Sequence, residues 1–446
     1  MAVKRWAGSA WEKPESPDAD PRRGAGPRSG DRGGRFFHLL VWRFLWAVVA
    51  PLLRRIFRYR CTTVRDAAEA ARSAGYGAAG YGAAGYGEGI PALVISNHTT
   101  NLDPFFVGCS FPGHLYFVAS EHVFRLGFAS ALIRFFFNPV VFPKGGGDGR
   151  ALRDILGRLR ANANVCLFAE GNRSFSGMTG SVGEAAGKLA RISGAALITY
   201  RIRGGYFSAP RWSRKTRRGP VWGGPVGFYP PDKLKSMTGA AITELIRRDI
   251  SEDAYETMGK DPRPYQGRAL AEELETALYL CPRCGGLGTL SSRGDVLRCR
   301  CGLAYRYDAY GTLHPLVQTN TFTGNRIFTT VRDWWFWQYE AMDNIVDAAA
   351  EPVCSDEGER ISEVTIGLRA RLLEQGRLSL GRGGLRCGTI HFPLGDIRDL
   401  AITGQRTLVF SAGGRRYELT NKMPRSAAKY QRVFELLARR SVPNLT

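Results

Sequence analysis

Three uninterrupted apolar runs in the first half of the chain each break off in a polar turn. Ala92-Leu93-Val94-Ile95-Ser96 leads into Asn97-His98-Thr99-Thr100-Asn101-Leu102-Asp103. Val140-Val141-Phe142-Pro143-Lys144 leads into Gly145-Gly146-Gly147, and Val165-Cys166-Leu167-Phe168 into Ala169-Glu170-Gly171-Asn172-Arg173-Ser174. Short apolar runs bounded by turn residues predict strands covered on both faces. Around them the pattern predicts a helix starting near Asp103, a strand over 114–119, a helix over 121–137, helices over 152–161 and 182–192, and a strand over 196–202. Such alternation predicts an α/β layered domain, over 90–260, with a largely parallel central sheet. Sheets of that kind carry their sites at the carboxyl ends of the strands, where these polar turns lie.

Outside this domain the pattern changes several times. Residues 1–35 are rich in Gly, Pro, Arg and Asp without periodicity, which predicts a disordered basic arm. Residues 36–60 form an apolar, aromatic segment with arginines at both ends, predicting a membrane-associated helix. Arg43 within it and Pro51 near its end favour a helix lying in or dipping into an anionic leaflet, with a true span and a buried soluble helix as alternatives. Over 61–89 the pentapeptide Gly75-Tyr76-Gly77-Ala78-Ala79 recurs as Gly80-Tyr81-Gly82-Ala83-Ala84, predicting a Gly/Tyr/Ala-rich linker. From 325 to 446, a Trp-rich helix precedes short alternating runs with glycine turns and a closing helix. That order resembles the small β-rich domains of pleckstrin-homology or GRAM type.

A chain of 446 residues is too long for one core. Its net charge of +22 calls for an anionic partner: a membrane surface, a phosphate-bearing substrate or nucleic acid. The apolar helix favours anionic membrane lipids over nucleic acid. Five of the nine cysteines, namely Cys61, Cys109, Cys166, Cys354 and Cys387, are scattered singly. With no recognisable cleavable leader, they predict a reducing compartment and thus the cytoplasmic face of a cell membrane.

The strand-end turns carry the chemistry. An imidazole titrates at about 6.5, so His98 can take a proton from an alcohol, and a carboxylate on its other nitrogen, here Asp103, would fix its tautomer. A bland reading, of turns capped by their own side chains, competes with this one. The text NHTTNLD followed by FAEGNRS resembles the N-H-x4-D and F-P-E-G-T-R-S blocks of the glycerolipid acyltransferase family, whose type member is 1-acylglycerol-3-phosphate acyltransferase. Ala169 and Asn172 stand where the family has Pro and Thr. Lys144 stands where its middle block ends in Arg, a point charge in place of a bidentate fork that Arg150 could supply. The resemblance covers roughly residues 90–230. It implies that His98 is the base, that Asp103 is its partner, and that Lys144, Arg150, Glu170, Gly171 and Arg173 hold the acceptor phosphate. The expected reaction moves an acyl chain from acyl-CoA or an acyl carrier protein to lysophosphatidic acid, giving phosphatidic acid. Another lysolipid acceptor, or a non-enzymatic membrane or nucleic-acid binder, is the alternative.

Three further stretches bear on function. The apolar helix over 123–137 is expected to pack in the core, with an acyl-chain tunnel as the alternative. Residues 203–218 interleave cations with aromatics and are expected to overhang the active-site mouth. Finally, Cys281-Pro282-Arg283-Cys284 and Cys299-Arg300-Cys301 resemble the two knuckles of a zinc ribbon, over 275–315, with one residue rather than two in the second gap. Four thiolates on paired turns suit a closed, structural Zn site, and a ribbon without metal is the alternative.

Overall fold

The computed structural model describes residues 32–73, 91–125, 128–142, 149–316, 326–365 and 370–441. The first domain is built on strands β1 (Arg60–Cys61), β2 (Ala92–Ser96), β3 (Leu115–Ser120), β4 (Val140–Phe142), β5 (Asn164–Phe168), β6 (Ala196–Arg203) and β7 (Trp222–Tyr229), in the order β1-β7-β6-β2-β5-β3-β4. β2 is central and parallel to both β5 and β6, and β3 and β4 continue the parallel run. The β6–β7 pair is antiparallel, so the sheet is mixed.

All five residues of β2 are buried, because helices cover both faces. Leu93 and Ile95 face helices Gly149–Arg160, Glu184–Ile192 and Gly239–Ile250, which contribute Ile155, Leu189 and Ile246. Ala92 and Val94 face helices Arg32–Phe57 and Asp103–Gly108, through Trp42, Phe57 and Phe106. The unbroken apolar run of β2 has this cause, since neither face of the sheet meets water there, whereas the edge strand β4 leaves Val141 and Phe142 exposed against expectation, having no neighbouring strand beyond it among the described residues.

Helix Arg32–Phe57 begins before the expected segment and contains Pro51. Trp42, Leu53 and Phe57 are buried on the domain, whereas Leu40, Phe44, Val48 and Leu52 are exposed at a four-residue spacing. Trp46 lies flat on Gly108, where a Cβ would come within 2.1 Å of Trp46 Cζ2, so the helix docks only because residue 108 has no side chain. No helix among the described residues is long and apolar enough to cross a membrane. Within 61–89, residues Val64–Ser73 are helical, and the Gly-Tyr repeats lie outside the described residues. The helix expected over 121–137 is divided into a 3-10 turn, Glu121–Arg125, and a helix, Phe128–Phe137. Phe124 and Phe137 join the core, while Leu132 and Phe135 are exposed.

The second half begins with four antiparallel strands, β8 (Leu290–Arg293), β9 (Val296–Cys299), β10 (Ala304–Tyr307) and β11 (Leu313–Pro315), in the order β11-β10-β9-β8. Helix Val331–Ala348 follows, its first turn capped by Thr330 Oγ1 accepting from the Asp333 amide. Then come β12 (Cys354–Val364), β13 (Ala370–Gly381), β14 (Gly384–Cys387), β15 (Ile390–Phe392), β16 (Arg398–Thr403), β17 (Thr407–Ala412) and β18 (Arg415–Thr420), one antiparallel sheet ordered β15-β14-β13-β12-β18-β17-β16. Helix Ala427–Ser441 packs on it through Tyr430, Val433 and Leu437. Under that helix Glu359, fully buried, accepts from Arg425 Nη2 at 2.9 Å and Asn421 Nδ2 at 2.8 Å, the pairing a buried carboxylate needs. One apolar core runs through both sheets of this half and takes in Phe175 and Trp212 of the first domain.

Candidate active site

β2 and β5 are adjacent and parallel, with Ser96 opposite Phe168, so the two polar turns that follow them emerge side by side. Asn97 anchors the first. Its Nδ2 donates to the Ile202 carbonyl at 2.9 Å and its Oδ1 accepts the Ile202 amide at 2.8 Å, so the side chain takes a strand's place against β6. The chain then turns, and Asp103, fully buried, opens a short helix.

Asp103 Oδ2 lies 2.8 Å from His98 Nδ1. The same oxygen accepts the Thr99 amide at 2.5 Å and the Thr100 amide at 2.9 Å, and Oδ1 accepts both threonine hydroxyls at 3.0 Å. Five donors therefore fix this carboxylate, and it in turn fixes the imidazole with Nδ1 as the proton-bearing nitrogen. Nε2 is left as the basic one. The ring stacks on Phe168, centroids 4.4 Å apart, and the side chain is 21% exposed, accessible to a substrate yet fixed in orientation. Gly205, after β6, presses on the back of the turn. A Cβ there would lie 2.2 Å from Thr99 Oγ1.

Glu170 binds two strand-end loops together. Oε1 accepts the His98 amide at 2.6 Å and Oε2 the Gly180 amide at 2.5 Å. Burial pushes its carboxyl up to about 8, against the two amide hydrogen bonds. Gly171 takes a left-handed φ of 67° to turn the loop, and the Ser174 amide meets the His98 carbonyl at 3.4 Å. Arg173 is half-buried beside this turn. Its guanidinium makes no hydrogen bond or ion pair with any of the described residues, and burial pulls it down to about 10, opposed by the Asp103 charge. An acid-base pair beside an unneutralised cation is suited to deprotonating a hydroxyl on an anionic molecule.

Residues 81–203 match the acyltransferase family model. The chain carries an acyltransferase domain. Among solved structures, the chain is similar to the 1-acyl-sn-glycerophosphate (LPA) acyltransferase PlsC from Thermotoga maritima, at 19% identity and a TM-score of 0.31, over 49% of this chain and 95% of that one. No curated protein matches it.

The structure brings His98, Asp103, Glu170, Gly171 and Arg173 of the acyltransferase domain together. Arg150 is exposed in the first turn of helix Gly149–Arg160, and Lys144 lies outside the described residues. The basic stretch 203–218 does not overhang the mouth as a free loop. Gly205–Ser208 is a buried helical turn, Arg211 and Trp212 are buried, and Arg217 packs over the Trp212 and Tyr307 rings and donates to the Leu270 carbonyl at 2.6 Å. Its aromatics seal the junction of the two halves, which interleaved cations and rings do as readily as they meet lipid. Asn97, Thr99, Thr100 and Phe168 were not singled out by sequence reasoning, although all four lie in or beside the two blocks.

The four cysteines of the expected ribbon also converge. Their sulfurs lie within 4.8 Å of one another, with Cys281 to Cys301 at 3.7 Å and Cys284 to Cys299 at 3.8 Å. Tetrahedral zinc with Zn–S of ~2.3 Å needs sulfurs about 3.8 Å apart, so the two short edges fit the metal. The one-residue gap closes because Gly302, at φ 90°, turns the chain back to pair Cys299 with Leu303.

Proposed function

We propose that this chain is a membrane-associated O-acyltransferase that moves an acyl chain from acyl-CoA or an acyl carrier protein to the free hydroxyl of lysophosphatidic acid, giving phosphatidic acid. The observation that carries the reading is the Arg173 guanidinium, which has no hydrogen-bond or ion-pair partner among the described residues, beside the turn that holds a histidine against a carboxylate at 2.8 Å. His98 Nε2 takes the hydroxyl proton. The acceptor oxygen forms a bond to the thioester carbonyl carbon, the carbon–sulfur bond breaks, and the imidazolium returns its proton to the leaving thiolate. No covalent enzyme intermediate is needed. Arg173 holds the acceptor phosphate, and Arg150 and Lys144 are the further cations proposed for it. Glu170 and Gly171 serve the same loop by fixing its shape.

The exposed row Leu40, Phe44, Val48 and Leu52, with Arg43, Arg54 and Arg55 exposed on the same helix, supports docking on an anionic leaflet, at the cytoplasmic face of the cell membrane. The Cys281, Cys284, Cys299 and Cys301 set would hold one structural Zn, closed to substrate because all four positions are protein ligands. Incubation of the detergent-solubilised chain with labelled acyl-CoA or acyl carrier protein and a panel of lysolipids, beside His98→Ala, tests the reaction. Product on lysophosphatidic acid that vanishes in the variant supports it, and product on a different lysolipid alone moves the acceptor.

A further inference from the structure

The C-terminal β-domain meets the acyltransferase domain at several points, Arg416 pairing with Glu121 at 2.7 Å among them, and one buried side chain reaches the loop of the site itself. Arg211, 5% exposed, donates from Nη1 to the Arg173 carbonyl at 2.8 Å, from Nε to the Gly404 carbonyl at 2.9 Å, and from Nη2 to the Ile402 carbonyl at 3.3 Å. Its guanidinium lies 4.2 Å over the Phe175 ring, and that ring stacks on Trp335, centroids 5.2 Å apart and 19° between planes. The loop carrying Arg173 is thus clamped between a turn at the end of β16 and helix Val331–Ala348. Gln405, next in that turn, donates to the Trp212 carbonyl.

The clamp has an unusual chemistry. Among the described residues no carboxylate pairs with Arg211, and every partner is a neutral carbonyl or an aromatic face. Burying a guanidinium without a counter-ion is costly, and a domain junction has no need of it, since apolar packing from Phe175, Trp212 and Trp335 already joins the halves. What the fork supplies is direction, its separate N–H donors aimed at three carbonyls at once. One of them belongs to Arg173 itself.

We propose that Arg211 is a positioning residue that fixes the Arg173 backbone against the turn at 402–404, so that the C-terminal β-domain completes the acceptor-binding loop of the acyltransferase domain. This rests on reading Arg173 as the ligand of the acceptor phosphate. The C-terminal domain is then a working part of the site, and its docking sets how well an anionic acceptor binds.

The test uses the full chain in detergent with lysophosphatidic acid and acyl-CoA, and compares Arg211→Lys, Arg173→Lys, the double variant and Gly404→Val. Lysine keeps the charge and cannot serve three carbonyls. Amide exchange over residues 171–176 should quicken about tenfold in Arg211→Lys, and the acceptor KM should rise about tenfold while the donor KM stays within about twofold. Gly404 is exposed at φ 63° with open space around it. Valine there shifts the accepting carbonyl from outside the acyltransferase domain, and the same exchange change is expected even if Arg211→Lys fails to fold. The double variant should match Arg173→Lys alone. Unchanged exchange in both Arg211→Lys and Gly404→Val, or additive losses in the double variant, overturns the proposal. Faster exchange with the acceptor KM unmoved in Arg211→Lys and Arg173→Lys alike overturns the acceptor reading of Arg173 and leaves the clamp standing.

Discussion

Glu170 accepts the backbone amide of His98 at 2.6 Å, so the acid that ends one strand fixes the histidine that ends its neighbour. Because its second oxygen accepts the Gly180 amide, both oxygens face donors, and a glutamine could satisfy only one. Glu170→Gln should leave an amide opposed to a donor, at about 1–3 kcal/mol, and lower kcat about tenfold through a displaced His98 turn. Thermal melts and single-turnover rates check this. A fully active, equally stable variant would remove Glu170 from the framework.

The same residue predicts a pH dependence. Burial holds its carboxyl up to about 8 in the folded chain against 4.5 in a solvated one. Between those values the native state binds a proton that the unfolded state has lost. The stabilising contribution is therefore present in full below about 4.5 and is lost as pH rises through about 8. Denaturant unfolding of the wild type and Glu170→Gln should show the wild type losing stability relative to the variant across this window. The opposite slope would refute the assignment.

His98 and Asp103 should behave as one unit. His98→Ala removes the base, and Asp103→Asn offers an amide to a site with five donors and releases the imidazole tautomer. Each should lower the single-turnover rate by roughly a hundred- to ten-thousand-fold, and the double variant should be little worse than either alone. Full multiplication of the two losses would mean that they act independently.

How much of this was legible in the sequence depended on the range of the interactions involved. β2 and β5 were readable as unbroken apolar runs, and the His98–Asp103 pair as a local turn with two chemistries. Arg211 was not. Its text, Pro210-Arg211-Trp212-Ser213, suits a lipid surface as well as a buried junction, and what decides between them is the pair of carbonyls at 402 and 404, nearly two hundred positions away in the chain. Glu170 was found for a role at the acceptor, whereas its oxygens hold amides, a difference that no spacing encodes. The antiparallel β6–β7 pair had no signature beyond the glycines of Gly223-Gly224, where Tyr200 and Tyr59 crowd the strand at Gly223.

The cysteine cluster makes a prediction separate from catalysis. Purified chain should carry about one zinc, and Cys281→Ser should lose it with a drop in Tm of several degrees, because the knuckles hold β8–β11 against the core that includes Leu280 and Trp334. Initial acyl-transfer rates at low temperature should persist after chelation as long as the fold does. Metal-free protein with an unchanged melt would assign the four thiols no metal role, and immediate loss of activity on chelation would make the metal more than structural.

Membrane docking can be separated from folding because the residues concerned are exposed. Phe44 is 69% exposed, so Phe44→Ser removes little packing and should leave the melt nearly unchanged. If the row Leu40, Phe44, Val48 and Leu52 enters the bilayer interface, burying one phenyl contributes about 1.5–3 kcal/mol, and its loss should weaken vesicle partitioning roughly ten- to a hundredfold. The exposed arginines act differently. Each adds about 1 kcal/mol at an anionic surface, and salt screens it. Flotation with anionic vesicles should therefore fall with rising salt in the wild type, and more steeply than in Arg54→Gln with Arg55→Gln, while Phe44→Ser binds weakly at every salt concentration. Activity on acceptor presented in vesicles should follow the bound fraction, and activity on acceptor in detergent should be unaffected. Equal flotation of Phe44→Ser and the wild type would mean that the apolar row meets some surface other than lipid.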